Sequence, residues 1–365
     1  VRLSRKVGVT VVICIALVGL IVGINASAFY SNNNRYSYDF SDIQSGIDSI
    51  RAEELQETIS FLAAPDQEGR RSGTFGSFSA SFYIADSLAA SGFSAFNGNY
   101  FQAFDLRDVK KPDFPVEKLA AWALRNGYTV SMNARNVVGY LEGTTKKDEY
   151  IVIGAHYDHL GVQNGELFPG ADDNASGTAG LLEIAEAFGE LSKNGERPER
   201  SIIVVFFDAE EWGLWGSQYF AENPPVPFEN IVSMFNLDMI SRNTSNEVLL
   251  IGSPDLTDLE SRSPTLFMMV RVSNETIGME LLIPDEKMRE EQIFWRSDQA
   301  PFFARSPDNN RMPVLFLNTG EHPDYHKTTD TADKTDPLKA QNITRLAFKT
   351  VWQLSDFDGL PIYNE

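Results

Sequence analysis

The chain contains almost no cysteine and little histidine. Of its 365 residues one is cysteine, Cys14, and four are histidine. Cys14 lies in an N-terminal apolar run, so the remainder has no disulfide, no thiol nucleophile and no Cys-based metal site. Positive charge is also scarce. Lys and Arg number 31 against 51 Asp and Glu, a formal net charge of -20. A chain so acidic lacks the basic face that nucleic acids need, and no nucleic-acid partner is expected. Neither an internal repeat, a Gly-rich dinucleotide fingerprint nor a phosphate-loop motif is present. The hydrophobic fraction of 42% is enough for a substantial core.

Val7 to Ile24 is a run without formal charge, preceded by Arg2, Arg5 and Lys6. It is long enough to span a bilayer, and the basic cluster places the rest of the chain outside. Ala26-Ser27-Ala28 also fits a cleavage site. The expectation is a transmembrane signal-anchor or signal peptide over 1–28, a linker over 29–42 and one catalytic domain over 43–365. Membrane contact is expected through the N-terminal segment only. The catalytic domain is then periplasmic or extracellular, or secreted if the chain is cut after Ala28.

Beyond the linker, apolar strands alternate with helical runs. Helices are expected over Ile43–Leu62, Phe78–Ala90, Ala175–Leu191 and Leu338–Leu354, with a further one within Asp255–Val272 and a short patch around Leu119–Leu124. Strands are expected at Asn136–Leu141, Tyr150–Ala155, Ser201–Phe207, Ile231–Leu237, Val248–Ile251 and Pro313–Leu317, with Thr144–Glu149 as a polar turn. Continuous apolar strands suit a sheet covered on both faces, so the fold class is α/β. Polar clusters come after several strands, where open α/β sheets place their sites.

Those clusters hold the chemistry. His156-Tyr157-Asp158-His159 follows one strand, Asp208-Ala209-Glu210-Glu211 the next and Asp238 a third. His322 and His326 follow the last. Gly170 to Gly177 carries Asp172-Asp173 in a Gly-flanked turn before a helix. Taken singly, the acidic turn equally fits a helix cap and Glu210-Glu211 an acidic loop. Together, imidazoles and carboxylates without sulfur suit zinc and several other divalent ions. Adjacent carboxylates can divide metal binding from proton transfer.

These residues resemble, in order, the motifs of the two-zinc aminopeptidases of the bacterial leucyl aminopeptidase type. Glutamate-carboxypeptidase-like enzymes belong to the same broader group. The matches are His156-Tyr157-Asp158, Gly170 to Gly177, Asp208 to Glu211, Asn236-Leu237-Asp238-Met239 and Tyr325-His326-Lys327-Thr328, and the resemblance covers roughly Leu55 to Leu354. It implies a three-layer α/β/α zinc exopeptidase fold with a mostly parallel mixed sheet. Two Zn(2+) ions are implied, roughly 3.5–4 Å apart. Asp173 bridges them, His156 and Asp238 complete one site, and Glu211 and His326 complete the other. Glu210 is the implied general base, Asp158 orients His156, and Tyr325 sits where some members place a hydroxyl against the oxyanion. His159 and His322 are not needed as ligands and line the cleft or pack beside it. Asp298 supports the loop of the last ligand or touches substrate, and Gly69 to Thr74 is a structural turn joining two helices. Lys327 to Thr331 departs from the family's usual Thr-Pro. The implied function is a peptide-hydrolysing exopeptidase, first an aminopeptidase. The alternatives are a carboxypeptidase or dipeptidase on the same metals, with Arg271 or Arg296 gripping a carboxylate, or a non-catalytic receptor-like domain.

Overall fold

Strands whose residues are apolar on both faces must be covered on both faces, and the centre of this fold obeys that requirement. The computed structural model describes residues 37–105, 133–256 and 258–364. The chain divides into two units, Val1–Asp39 and Phe40–Glu365, and the strands and helices of the described residues belong to the second. Strands β1 (Phe101–Asp105), β2 (Asn133–Leu141), β3 (Lys146–His156), β6 (Arg200–Phe207), β7 (Ile231–Leu237), β8 (Glu247–Ile251), β9 (Glu280–Leu282) and β10 (Val314–Asn318) form one sheet in the order β1-β2-β6-β3-β7-β10-β8-β9. A separate hairpin pairs β4 (Gly161–Gln163) with β5 (Glu166–Phe168).

The central strands β6, β3, β7 and β10 run parallel, while β2 and β8 join them antiparallel. All of β6 is buried, as is β3 from Ile151 onward. On one face lie helices α1 (Gln44–Ser49), α2 (Ala52–Leu62), α3 (Phe75–Ala90), α4 (Gly177–Lys193), α6 (Pro264–Asn274) and α8 (Pro337–Asp356). On the other lie α5 (Trp215–Glu222) and α7 (Gln299–Arg305). Phe220 of α5 and Phe302 of α7 pack with Phe207 and Phe316 of the sheet in one buried hydrophobic cluster. Each such side chain contributes about 1.5–3 kcal/mol on burial.

β3 governs where a site can form. The chain leaves it through α4 to reach β6 on one side, then crosses to β7 on the other side. The carboxyl end of β3 is therefore a topological switch point, where the loops on either side diverge and open a crevice. His156 is the last residue of β3 and pairs in register with Phe207, the last of β6.

Two expectations change in detail. The helix over Ile43–Leu62 is broken, because Ile50 and Arg51 are extended between α1 and α2. The Arg51 N–H donates instead to Glu183 of α4 at 3.0 Å. β3 begins at Lys146, inside the expected polar turn, where Lys146 pairs with Arg200 before a register shift.

The expectation of a transmembrane signal-anchor, a membrane partner and an anchored location is corrected. Among the described residues no helix is long and apolar enough to cross a membrane. The longest of them, α8, has 20 residues but carries Lys339, Arg345 and Lys349. The run Val7 to Ile24 lies outside the described residues, as does the patch around Leu119–Leu124.

Candidate metal centre

Every candidate ligand lies in a loop that leaves the sheet at its carboxyl edge or in the turn ahead of α4. His156 ends β3, Glu210 and Glu211 follow β6, Asp238 follows β7, and His326 lies beyond β10. Asp173 belongs to the turn before α4, which Gly170 opens in the left-handed region (φ 61°). Ala209, Met239 and His326 also have left-handed φ, at 60°, 58° and 54°. Non-glycine residues adopt that conformation at a cost, so all three exit loops are held against their local preference.

The turn carrying Asp173 is clamped from behind. Asp330 accepts the N–H of Asp172 and of Asp173 at 3.1–3.2 Å. The Asp172 carboxylate accepts from Ser241 N at 2.8 Å, Ser241 Oγ at 2.6 Å and Ser176 Oγ at 3.1 Å. His322 Nε2 stands 3.3 Å from its other oxygen. Asn174 joins the turn to the exit of β7 through Leu237 O and Met239 N. Arg70, fully buried, donates to the carbonyls of Tyr157, Leu62, Pro169 and Gly170. Of the two carboxylates in the acidic turn, Asp172 is thus occupied by the fold and Asp173 faces the crevice.

Asp173 is shared between two clusters. His156, Asp173 and Asp238 form the first, and His159, Asp173 and Glu211 the second; the ligand atoms of each group lie within 4.8 Å of one another. In the first, His156 Nε2 is 3.4 Å from Asp173 Oδ1 and 3.4 Å from Asp238 Oδ1. Asp238 spends its other oxygen on Ser297 Oγ at 2.6 Å. In the second, His326 Nε2 is 3.0 Å from Asp173 Oδ2 and 3.3 Å from Glu211 Oε2. His159 Nδ1 is 2.7 Å from Glu211 Oε1 and 3.8 Å from Asp173 Oδ2. Glu210 belongs to neither cluster, and its Oε2 lies 4.0 Å from His156 Nε2.

These residues fit a pair of divalent ions. Ligands about 2.0–2.1 Å from a tetrahedral zinc stand about 3.3 Å apart, the spacing seen around His156 and between His326 and Glu211. Asp173 Oδ2, Glu211 Oε1, Asp238 Oδ1 and both ring nitrogens of His159 are buried without a hydrogen-bond partner. Buried polar atoms in such number call for a ligand, since isolated ones are costly. The electrostatics agree. Burial alone would lower His156, yet Glu210 and Asp238 raise it well above its ordinary value. Burial likewise opposes, but Asp173 and Glu211 raise His326 to about 11. Burial raises Glu210 well above the ordinary carboxylate range, with His156 opposing and Glu211 adding to the rise. The centre is short of positive charge, which two divalent cations supply.

The remaining candidates surround this centre. The Asp158 carboxylate lies 3.7 Å from His156 Nδ1, whereas its backbone carbonyl is 3.2 Å away. The carboxylate accepts the Glu210 N–H at 3.0 Å and so ties two exit loops together. Tyr325 stacks on His326 with centroids 3.9 Å apart, and its hydroxyl is 3.3 Å from Arg296 Nη2. Arg296 also pairs with Glu321 at 2.7 Å. Asp298 is fully buried, and burial pushes it up to about 7. Sequence reasoning assigned no ligand role to His159, which stands in the second cluster, and did not single out Asp330 or the backbone contacts of Arg70. For His159 a signal existed, a second imidazole three residues after His156. Asp330 had none, because its partners are 157 and 158 residues away.

Comparison with known proteins places this geometry in a family. The family described as Peptidase family M28 matches residues 136–351. The glutamate carboxypeptidase 2 homolog of Caenorhabditis briggsae is 31% identical over 209 residues, covering 54% of this chain and 26% of that protein. Aminopeptidase NAALADL1 of Rattus norvegicus is 44% identical over 109 residues, covering 29% of this chain and 14% of that protein. The chain thus spans about a quarter or less of the length of these two relatives. The solved structure of BSAP, a zinc aminopeptidase from Bacillus subtilis, superposes with a TM-score of 0.60 at 17% identity, covering 83% of this chain and 95% of that one. At that identity it shows a shared fold.

Proposed function

The chain belongs to peptidase family M28, and from that premise we propose that it is a two-metal exopeptidase that hydrolyses a terminal peptide bond. The observation that supports this most is the shared carboxylate. Asp173 turns one oxygen toward each cluster, while Glu210 stands beside them and outside both. In this reading His156, Asp173 and Asp238 hold one ion, and Asp173, Glu211 and His326 hold the other. Two zinc ions supply Lewis acidity and an acidified water.

The other roles belong to the chain. Glu210 accepts the proton of the attacking water at its carboxylate and passes it to the leaving nitrogen. Asp158 fixes the backbone from which Glu210 projects. Tyr325 remains a hydrogen-bond donor beside the second cluster, because burial and then Asp173 and Glu211 raise its hydroxyl far above the ordinary value. It serves the developing oxyanion.

For the finer assignment we take the carboxypeptidase or dipeptidase reading. It is supported by Arg296, a half-exposed cation at the rim beside Tyr325, which can exchange Glu321 for a substrate carboxylate. The relative named glutamate carboxypeptidase 2 homolog points the same way. The aminopeptidase reading draws on the relative of that name and on the acidity of the centre, which suits a substrate ammonium. The test is a panel run on the zinc-loaded chain. Peptides with a blocked amino end and a free terminal carboxylate, or free dipeptides, should be cleaved faster than aminoacyl amides that carry no carboxylate; the first outcome gives a carboxypeptidase and the second a dipeptidase. Preference for the aminoacyl amides would replace this assignment with the aminopeptidase one. Cleavage of none of the three by protein holding two metals would overturn the exopeptidase proposal.

A further inference from the structure

Arg242 lies in the exit of β7, beyond Asp238, and its guanidinium addresses two other segments of the centre. Nη2 donates to Asp324 Oδ2 at 2.7 Å, just ahead of His326 in the chain. Nη1 is buried, has no hydrogen-bond partner and stands 3.8 Å from Asp330 Oδ1. Asp330 in turn accepts the N–H groups of Asp172 and Asp173. One planar cation thus spans the gap between the loop that carries His326 and the turn that carries Asp173. The ends of those two side chains meet, with Nε2 and Oδ2 3.0 Å apart. The cation is anchored at its own end. Lys339 of α8 donates to the Arg242 carbonyl at 2.5 Å, and the Asp336 N–H to that of Ser241 at 2.7 Å. The Arg242 side chain is only 13% exposed, so salt screens its ion pairs little. On the loop side the other Asp324 oxygen accepts Thr329 Oγ1 at 2.6 Å and Lys334 Nζ at 2.7 Å. His326 itself has a left-handed φ and a 38% exposed side chain, so its place depends on how this loop is held.

We propose that Arg242 is a positioning residue for the second metal position: it sets the separation of Asp173 and His326, and with it the affinity for the ion those two hold with Glu211. This rests on the two-metal reading above and extends it. A guanidinium can serve two carboxylates at once because its nitrogens diverge in a plane, whereas an ammonium is a single point. His322 runs beside it, with Nδ1 accepting the Asp324 N–H at 3.2 Å and Nε2 3.3 Å from Asp172 Oδ2. That link leaves Asp330 untouched, so loss of Arg242 loosens the centre without dismantling it. The first ion depends on other supports. Asp238 is held by Ser297 Oγ, and His156 Nδ1 lies 3.2 Å from the Asp158 carbonyl. The effect of Arg242 therefore falls on one ion of the pair.

The rival role for Arg242 is to support the surface loop alone, and chelator competition on the zinc-loaded full chain separates the two. Arg242→Met should weaken one ion by about 10–100-fold, the range of an outer-shell partner, and leave the other within about threefold of the parent. Arg242→Lys keeps the charge but reaches one carboxylate at a time, so it should fall between, and the visible spectrum of its cobalt-loaded form should lie nearer the parent's than that of Arg242→Met. His326→Gln identifies the ion concerned: with that imidazole gone, adding Arg242→Met should cost less than about threefold more, because the two residues act through one site. Should Arg242→Met fail to fold, the Lys variant must still show the one-sided loss. Both ions held within about threefold of the parent would overturn the proposal, as would equal weakening of both or a fully additive loss in the double variant. A parent chain that binds fewer than two ions would overturn the two-metal reading itself, a result distinct from these.

Discussion

Arg70→Met should be among the most damaging substitutions in the chain, although Arg70 touches no substrate. The guanidinium is fully enclosed and donates to four backbone carbonyls, those of Tyr157, Leu62, Pro169 and Gly170. These belong to the exit of β3, the end of α2 and the head of the Asp173 turn. Methionine fills much of the same volume and donates nothing. A buried acceptor left without a donor costs about 1–3 kcal/mol. The Gly170 carbonyl also accepts the Ala175 N–H at 3.2 Å, so three are left without a donor. Three at the low end amount to about 3 kcal/mol, since some will find water. Opposing this, the substitution removes a cation whose burial is itself unfavourable, which lowers its pKa to about 10 despite Asp158 and Asp173 nearby. A net loss of about 2–3 kcal/mol is expected, a large part of an ordinary domain's 5–15 kcal/mol. Urea unfolding of the metal-free chain measures it. Arg70→Lys, with three donors on one nitrogen, should fall between parent and Met and gives a reading if the Met variant does not fold. A loss below about 1 kcal/mol for Arg70→Met would refute the reasoning, because it would mean these carbonyls are satisfied without the guanidinium.

Other substitutions separate the remaining roles. Glu210→Gln should lower kcat by roughly 100-fold to 10,000-fold with both metals retained, measured by steady-state kinetics and metal analysis; loss of one metal would instead mean that Glu210 and Glu211 have exchanged roles. Asp173→Asn should weaken both metal positions together, because the carboxylate loses its charge where two cations meet; equilibrium dialysis with zinc that finds only one site affected would remove its bridging role. Glu183 supplies a pH dependence away from the centre: burial raises its carboxyl to about 7, with the Arg51 N–H opposing. Because the folded state holds this proton more tightly than the unfolded one, the stability it contributes is full below about pH 4.5 and is lost as pH rises through 7. Glu183→Gln should therefore raise stability by up to about 3 kcal/mol at pH 8 and leave it nearly unchanged at pH 4; equal effects at both values in thermal unfolding would show that the group titrates normally.

Much of the architecture was legible because burial writes itself into composition. Ile202 to Phe207 and Ile231 to Leu237 are so apolar that only enclosed strands accommodate them, and the polar residues directly after them mark the sheet's carboxyl edge. The places where the reading fell short share a cause. The break at Ile50 and Arg51 is invisible locally, since the residues around it favour a helix; the bond that stabilises the extended backbone comes from Glu183, 132 residues away. Lys146 looks like turn material, yet its ammonium reaches Glu199 and the carbonyl of Phe357, and those contacts hold a polar segment in the sheet. Spacing likewise brings Asp158 near His156 but does not say whether carbonyl or carboxylate arrives first.

The candidate site repeats this division between what a strand end announces and what distant partners decide. Asp172 and Asp173 are chemically equivalent in the sequence. Ser241, Ser176 and His322 surround the first carboxylate and take it out of the crevice. With Asp172 so engaged and Asp330 holding both N–H groups, the Asp173 side chain has one open direction, between the exits of β3, β6 and β7. Both of its oxygens then meet separate clusters without a choice of rotamer left to chance. In the two-metal reading proposed above, this carboxylate would keep two ions at a fixed separation, and its precision would come from the residues that restrain its backbone. Those residues lie in the Arg70 loop, the β7 exit and the segment ending at Asp330. That last segment supplies the clamp on the Asp173 turn, through the Asp330 carboxylate.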